Sequence, residues 1–400
     1  MQLSLYLHIP FCKRKCFYCD FCSAAASRRE MEEYCAALRE EIRLQAKAYG
    51  HARVNTVFIG GGTPSLLPAS LMDGLLEELG RRFCIQKDAE FTMEANPGTL
   101  HGDWLTMARE HGVNRLSLGV QAAQEPLLGV LGRIHTFREA VEAVALAKEH
   151  GFSNLNVDVM FGLPGQSLRD YLETLARVAA LEVPHISAYS LILEEGTPLA
   201  DRIRAGELAP PAEDEAAAMY ESGRDWLEAH GYRQYEISNF AKPGYACKHN
   251  LGYWRGGWYL GMGVSGAGML PGPDRAGERG SGSQALYLRR ENVADRAEYQ
   301  QRLAQGELPL AQEHRISREE AMFEAMMLGL RTVAGVDPGD FESRFGQPLQ
   351  EAYGKRMEEL ISQGLAWWRP DTQQGEASRT FALTPKGLLL QNQALLLLMD

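Results

Sequence analysis

The apolar positions of this chain fall into short β-rich runs separated by helical stripes. The runs lie at 3–9, 54–59, 90–94, 115–120, 155–161 and 186–193. The first alternates Leu3, Leu5 and Leu7 with Ser4, Tyr6 and His8, the period of a strand with one face buried. Between the runs, Leu168, Tyr171, Leu172, Leu175 and Val178 form an i, i+3, i+4, i+7 stripe, opened by Ser167 with Asp170 three residues on, close to a capping box. Val141, Val144 and Ala145 mark another helix. Strand–helix alternation repeated six times predicts parallel strands joined by right-handed crossovers. Six units are too few to close an eight-fold barrel. The expected fold is therefore α/β, a partial (βα)6 parallel barrel over residues 1–235.

The pattern changes after that. Residues 236–305 read as a connecting segment, with a Gly-, Pro- and Ser-rich stretch at 271–283 that predicts a flexible loop. Residues 306–400 read as a small α+β domain. Ser317-Arg318-Glu319-Glu320 is a capping box opening a helix striped by Phe323, Met326, Met327 and Leu330, a stripe that reads as core. A second helix is predicted over about 349–363, stopped by Gly364. Segments 365–368 and 380–383 then predict a hairpin, so the domain is winged-helix-like. It shows no basic recognition face, because Lys355 and Arg356 stand among Glu351, Glu358 and Glu359.

Polar and glycine signals cluster at the C-terminal ends of successive strands, where parallel βα folds bind ligands. After the first run come Cys12, Cys16 and Cys19 as C-x-x-x-C-x-x-C. Three thiolates can hold three irons of a 4Fe–4S cluster and leave the fourth iron open. A closed ferredoxin cluster uses four, so the open iron is a design for chelating a small molecule; the spacing resembles that of the radical SAM proteins, which implies S-adenosylmethionine (SAM) as the partner. The competing reading is a zinc loop that also uses Cys22. After the second run comes Gly60-Gly61-Gly62-Thr63-Pro64, which is either a plain turn or a place where backbone approaches a ligand closely. Glu94 with Asn96-Pro97 ends the third run, Gln121 the fourth, and Asp158 with Gly162-Leu163-Pro164-Gly165 the fifth. Glu94 and Asp158 suit ribose hydroxyls, or could be strand-end ion-pair partners. Gln121 by itself is uninformative.

Composition narrows the function classes. Hydrophobic content of 45% supports a sizeable core, and a net charge of −11 argues against a sequence-independent grip on nucleic-acid phosphates. No apolar run approaches the roughly 20 residues of a membrane span, and the N-terminus lacks the basic region of a signal peptide. Seven cysteines, four of them between 12 and 22, form no paired framework. Free thiols and an oxygen-sensitive cluster predict a cytoplasmic protein.

The strings YLHIPFC, CFYCDF, GGGTP, EANP, LSLGVQ and VDVMFGLPGQ resemble the oxygen-independent coproporphyrinogen III oxidase family of radical SAM proteins, in order and over nearly the whole chain. The resemblance implies a 4Fe–4S cluster on Cys12, Cys16 and Cys19 with Tyr18 packed beside it. It implies that Gly61, Gly62 and Thr63 meet the amino-acid part of SAM. Tyr6, Glu94, Gln121, Arg133 and Asp158 would complete that pocket, with Ile192 on the adenine side. Only the resemblance promotes Arg133, which otherwise passes for a surface charge.

Three features separate the chain from the family's decarboxylating oxidases. They carry a long extension before the cysteines, and here Cys12 leaves no room for one. They place a further cysteine two residues after the third, where this chain has Phe21, with Cys22 one residue later. A one-residue shift turns a side chain elsewhere. Third, Cys247-Lys248-His249-Asn250-Leu251-Gly252-Tyr253-Trp254 contains H-N-x-x-Y-W, which resembles the signature of the family's haem-chaperone branch. Histidine is a common haem-iron ligand, and Tyr253, Trp254, Trp258 and Tyr259 offer flat apolar surfaces for a porphyrin. Cys247 is a second possible iron ligand, and the bland alternative is a buried histidine in an aromatic cluster. The resemblance implies haem bound at His249, Tyr253 and Trp254 and passed to an acceptor, with respiratory haem proteins as candidates. The fold could in principle cleave SAM. Oxidative decarboxylation of coproporphyrinogen propionates is the second reading, and a DNA-binding cluster sensor a distant third.

Overall fold

A computed structural model describes residues 1–272, 286–370 and 379–399. The six alternating runs are strands: β1 (Gln2–Ile9), β2 (Arg53–Gly61), β3 (Cys84–Ala95), β4 (Arg115–Gln121), β5 (Asn154–Phe161) and β6 (His185–Ser190). They lie in sequence order, each parallel to the next. Successive right-handed βα crossovers generate that order, giving a partial βα barrel. The helix Leu168–Ala179 starts at the Ser167–Asp170 capping box, as its stripe predicts.

One face of the sheet packs on the helices. Leu3, Leu5, Leu7 and Ile9 are buried with Val57, Ile59, Leu38 and Ile42. Each fully buried leucine or isoleucine contributes roughly 1.5–3 kcal/mol over its exposed state, so the alternation decides which face of β1 turns to the helices. The alternate positions face the barrel interior and are mostly polar. They include Ser4, Tyr6 and His8 on β1, Thr56 on β2, Glu90 and Glu94 on β3, Arg115 and Ser117 on β4, and Asn156 and Asp158 on β5.

The sheet does not stop at six strands. β7 (Arg233–Gln234), β8 (Asn239–Ala241), β9 (Tyr259–Met262), β10 (Ala267–Pro271), β11 (Tyr287–Asn292) and β12 (Leu310–Ile316) join it in the order β12-β11-β10-β9-β1-β2-β3-β4-β5-β6-β8-β7. Segment 236–305 thus contributes β8 to β11 as well as the helix Lys248–Trp254. β9 pairs parallel with β1 and covers what would be an open edge.

The C-terminal part has its own core around Met326, Leu330, Phe341, Met357 and Phe381. Helix Arg318–Gly329 opens at the Ser317–Glu320 capping box, and helices Pro338–Phe345 and Leu349–Ser362 follow. Gly364, at φ 70°, turns the chain after the last of them. β13 (Ala366–Pro370) and β14 (Arg379–Leu383) form the expected antiparallel pair. The order of helices and hairpin is winged-helix-like. Its turn, and the 271–283 stretch beyond residue 272, lie outside the described residues. Among the described residues no helix is long and apolar enough to cross a membrane.

Candidate functional site

The cysteine loop leaves β1 and closes on itself. Cys12 N donates to Ala24 O at 3.0 Å, and Ala24 N donates to Pro10 O at 3.0 Å. Its middle is pinned from two sides, by Phe17 N to Leu131 O and Leu199 N to Phe17 O, both 2.9 Å. Cys12, Cys16 and Cys19 are free thiols, partly buried. Thr63 Oγ1 lies 3.7 Å from Cys12 Sγ, and Arg133 Nη1 lies 3.5 Å from Cys16 Sγ. Burial pushes the Cys19 thiol pKa up. Among the described residues no three His, Cys, Asp or Glu side chains converge on a point that a single ion could fill. The Cys22 thiol points away, 3.5 Å from Ala294 O. Its carbonyl accepts from His8 Nε2 at 2.8 Å, while His8 Nδ1 meets the Tyr6 hydroxyl at 3.1 Å.

The triple-glycine turn packs under this loop. Gly62 N donates to Ile9 O at 2.8 Å and Thr63 N to Phe11 O at 2.7 Å. A Cβ at Gly62 would stand 2.6 Å from Phe11 O, so the approach of the two backbones requires glycine. Gly61 N donates to Glu94 Oε2 at 3.1 Å, and Asn96 Nδ2 to Thr63 Oγ1 at 2.8 Å. Arg133 is no surface charge. Its Nη2 donates to Asn96 Oδ1 at 2.6 Å and also to Gly119 O. Gln121 meets the same point, and its backbone sits at φ 74°. A non-glycine residue there stores strain of about 1–3 kcal/mol, which clusters at functional sites.

The site is electrostatically primed for a positive ligand. Burial, then the nearby Asp158, pushes Glu94 up to about 7. Burial also raises Asp158, against hydrogen bonds from Asn156 and Ser117. Tyr18 is raised strongly by burial, while Arg133 opposes and Cys16, Cys19 and Asp158 add. Tyr6 is raised by burial and by Glu94. A cation between the two carboxylates would relieve their repulsion. The structure therefore brings Tyr6, Cys12, Cys16, Tyr18, Cys19, Gly61, Gly62, Thr63, Glu94, Gln121, Arg133 and Asp158 to one rim. Ile192 is 68% exposed, beyond the end of β6.

His249 lies at the other end of the barrel interior. It is 1% exposed, and its ring sits 5.1 Å from that of Phe58. Nδ1 meets Thr56 Oγ1 at 2.8 Å and Nε2 meets the Tyr253 hydroxyl at 3.1 Å. Burial lowers its pKa to about 3. The Glu90 carboxylate accepts from Lys248 N and His249 N, each at 2.9 Å, at the start of the helix. Cys247 also donates to Glu90, at 3.3 Å, and burial pushes its thiol up to about 12. A buried chain of hydrogen bonds joins the two ends: Asp158 to Asn156 at 2.7 Å, Asn156 to His185 at 2.5 Å, His185 to Tyr235 at 2.8 Å, and Tyr235 to Cys247 N at 3.3 Å. Sequence reasoning missed Glu90, Arg115, Asn156, His185 and Tyr235. For Glu90, Arg115 and Asn156 the available signal was a charged or amide residue inside an apolar strand run; His185 and Tyr235 lie outside those runs.

Comparisons with known proteins bear on the family and the fold. A radical SAM superfamily model matches residues 6–178, and a HemN C-terminal domain model matches residues 316–366. The chain is 35% identical to the heme chaperone HemW of Bacillus subtilis over 98% of this chain and 97% of that one. It is 44% identical to heme chaperone HemW of Escherichia coli over 68% of this chain and 71% of that one. It is 34% identical to a mouse mitochondrial radical S-adenosyl methionine domain-containing protein 1, over 91% and 81% of the two chains. The solved structure of E. coli coproporphyrinogen III oxidase HemN, a radical SAM enzyme, has the same fold. Its TM-score is 0.80 at 23% identity, over 99% of this chain and 89% of that one.

Proposed function

The chain belongs to the HemW heme-chaperone family of radical SAM proteins, and from that premise we propose that it binds haem and passes it to an acceptor protein. Haem is cargo in this reading. Cys12, Cys16 and Cys19 would hold the 4Fe–4S cluster, and SAM would bind beside it. The residues present fit both groups: three free thiols on one loop, and a buried pair of carboxylates for a cationic, hydroxyl-rich ligand. When bound, the cluster and SAM supply one-electron reductive cleavage of a sulfonium.

The protein's own part is orientation and exclusion of water. Thr63 and the Gly61–Gly62 backbone would meet the amino-acid end of the ligand and Glu94 and Asp158 would accept from its hydroxyls, while Arg133 steadies Asn96 beside Cys16. Tyr6, Tyr18, Gln121 and Ile192 complete the walls.

The observation that carries the chaperone reading over the oxidase reading is the H-N-x-x-Y-W helix, Lys248–Trp254, seated between the barrel and the C-terminal domain. Haem meets this segment through His249, Tyr253 and Trp254. Ligation of iron by His249 has a defined structural requirement. Nε2 must exchange its 3.1 Å contact with Tyr253 for the metal, and the buried ring must come within reach of it. All seven cysteines are free, which suits a reducing compartment.

The test is anaerobic reconstitution followed by two parallel assays on the full chain, haem titration and coproporphyrinogen turnover. The chaperone reading expects stoichiometric haem binding, transfer to an apo-acceptor, and no protoporphyrinogen. Efficient conversion of coproporphyrinogen would replace it with the oxidase reading.

A further inference from the structure

A cleft of about 610 Å³ opens where the H-N-x-x-Y-W helix meets the C-terminal domain. Its size falls within the range of small-molecule sites, about 300–1,000 Å³. Trp254, the last residue of the motif, is on its wall with Leu251 and Phe341. The Trp254 indole nitrogen is buried and has no hydrogen-bond partner, although indole N–H groups usually find one when buried.

Four arginines ring this apolar wall: Arg233, Arg255, Arg344 and Arg369. Arg344 donates to Arg255 O at 3.0 Å and to the Tyr287 hydroxyl at 3.2 Å, and Arg369 donates to Val333 O. These acceptors are neutral. Arg233 and Arg255 are exposed, and neither is in an ion pair among the described residues. The acidic groups lining the cleft are Asp337 and Asp340, and Asp337 is engaged in capping Asp340 N at 2.8 Å. The cleft is thus locally cationic in a chain whose net charge is −11. Arginine forks match carboxylates bidentately; the Arg331 guanidinium covers one face of Trp254, 5.5 Å from the ring centroid, which leaves its other face for a flat ring.

The lining contains no histidine, cysteine, methionine or lysine. Its tyrosine, Tyr235, already holds His185 and Cys247 N through its hydroxyl. The cleft therefore offers carboxylate clamps and a ring surface but none of the usual iron ligands.

We propose that this cleft is the docking site for a dicarboxylate tetrapyrrole, gripped by its carboxylates on the arginines and by its ring face on Trp254, independently of its metal. The inference rests on the haem-chaperone reading and replaces its His249 contact: neither His249 nor Tyr253 lines the cleft, and of the three motif residues assigned to haem only Trp254 does. Cargo held by its edge and face leaves the iron free to be captured by the acceptor's own ligands.

The experiment titrates haemin and metal-free protoporphyrin IX into the reconstituted full chain, the Arg233→Glu/Arg255→Glu variant, and Arg138→Glu as a control. Arg138 is an exposed arginine on the helix Phe137–Glu149, away from the cleft. The parent and the control are expected to bind both tetrapyrroles with similar affinity. The double variant is expected to lose at least about tenfold for both, with its cluster absorbance and melting temperature unchanged. Parental affinity in the double variant overturns the cleft. So does a parent that binds haemin and not protoporphyrin, which leaves the chaperone reading standing on an iron ligand. A parent that binds neither removes the chaperone reading, and the cleft with it.

Discussion

Replacing Gly62 with alanine tests whether the glycine turn and the cysteine loop are one mechanical unit. The added Cβ would lie 2.6 Å from Phe11 O, 2.8 Å from Phe11 N and 2.9 Å from Ile9 O. All three are backbone atoms, so no side-chain rotation relieves the clash. To reach ordinary contact at 3.4 Å the nearest atom must retreat by 0.8 Å. Overpacking of this kind costs about 1–3 kcal/mol. The same movement strains two hydrogen bonds, Gly62 N to Ile9 O at 2.8 Å and Thr63 N to Phe11 O at 2.7 Å, each worth about 0.5–1.5 kcal/mol. The total is on the order of 2–6 kcal/mol. Phe11 is bonded directly to Cys12, so the displacement passes straight to a proposed cluster ligand. The assay is iron per chain after anaerobic reconstitution, together with the melting temperature. Gly62→Ala should hold less than half the parental iron and melt earlier. Gly129→Ala, on a short helix where an added Cβ meets nothing within 4 Å, should match the parent in iron. Full iron and an unchanged melting temperature in Gly62→Ala would refute the argument that this contact shapes the loop.

Cys16→Ala should lose its iron, while Cys22→Ser should keep about four irons per chain; loss of iron in Cys22→Ser would point to a four-cysteine site. Asp158→Ala and Glu94→Ala should each weaken SAM binding by roughly tenfold or more, because a charge-assisted hydrogen bond is worth about 1.5–3 kcal/mol. Equilibrium dialysis with cluster absorbance as the folding control reads this, and unchanged affinity in both variants would move the pocket elsewhere. Glu41 offers a pH test away from the rim. It is fully buried, and burial raises its pKa from 4.5 to about 7 despite donors from Tyr299, Gly263 and Asn292. The folded state then binds more protons than the unfolded state between those values, so its contribution to stability is lost as pH rises from about 4.5 to 7. The full effect is on the order of 3 kcal/mol at 1.36 kcal/mol per unit. Denaturant midpoints at pH 5 and 7.5 should differ less in Glu41→Gln than in the parent; an identical difference would remove Glu41 as the cause.

Much of this protein is written locally. Period-two alternation decides the buried face of β1, and the Ser167 and Ser317 capping boxes mark helix starts, because these signals depend only on residues a few places apart. The C-x-x-x-C-x-x-C spacing and the glycine turn are local in the same sense. Tertiary structure alone decided what depends on long-range approach. Arg133 reads as a surface charge until β3, β4 and the cysteine loop meet around it, 3.5 Å from Cys16 and 2.6 Å from Asn96. His249 reads as an available ligand until its helix starts against Glu90 and buries both ring nitrogens on Thr56 and Tyr253. Residues 236–305 read as a connecting segment, yet β9 and β10 form there because β1 has an edge to cover. In each case the partner lies scores of residues away, and only packing of the barrel brings the two within hydrogen-bonding distance.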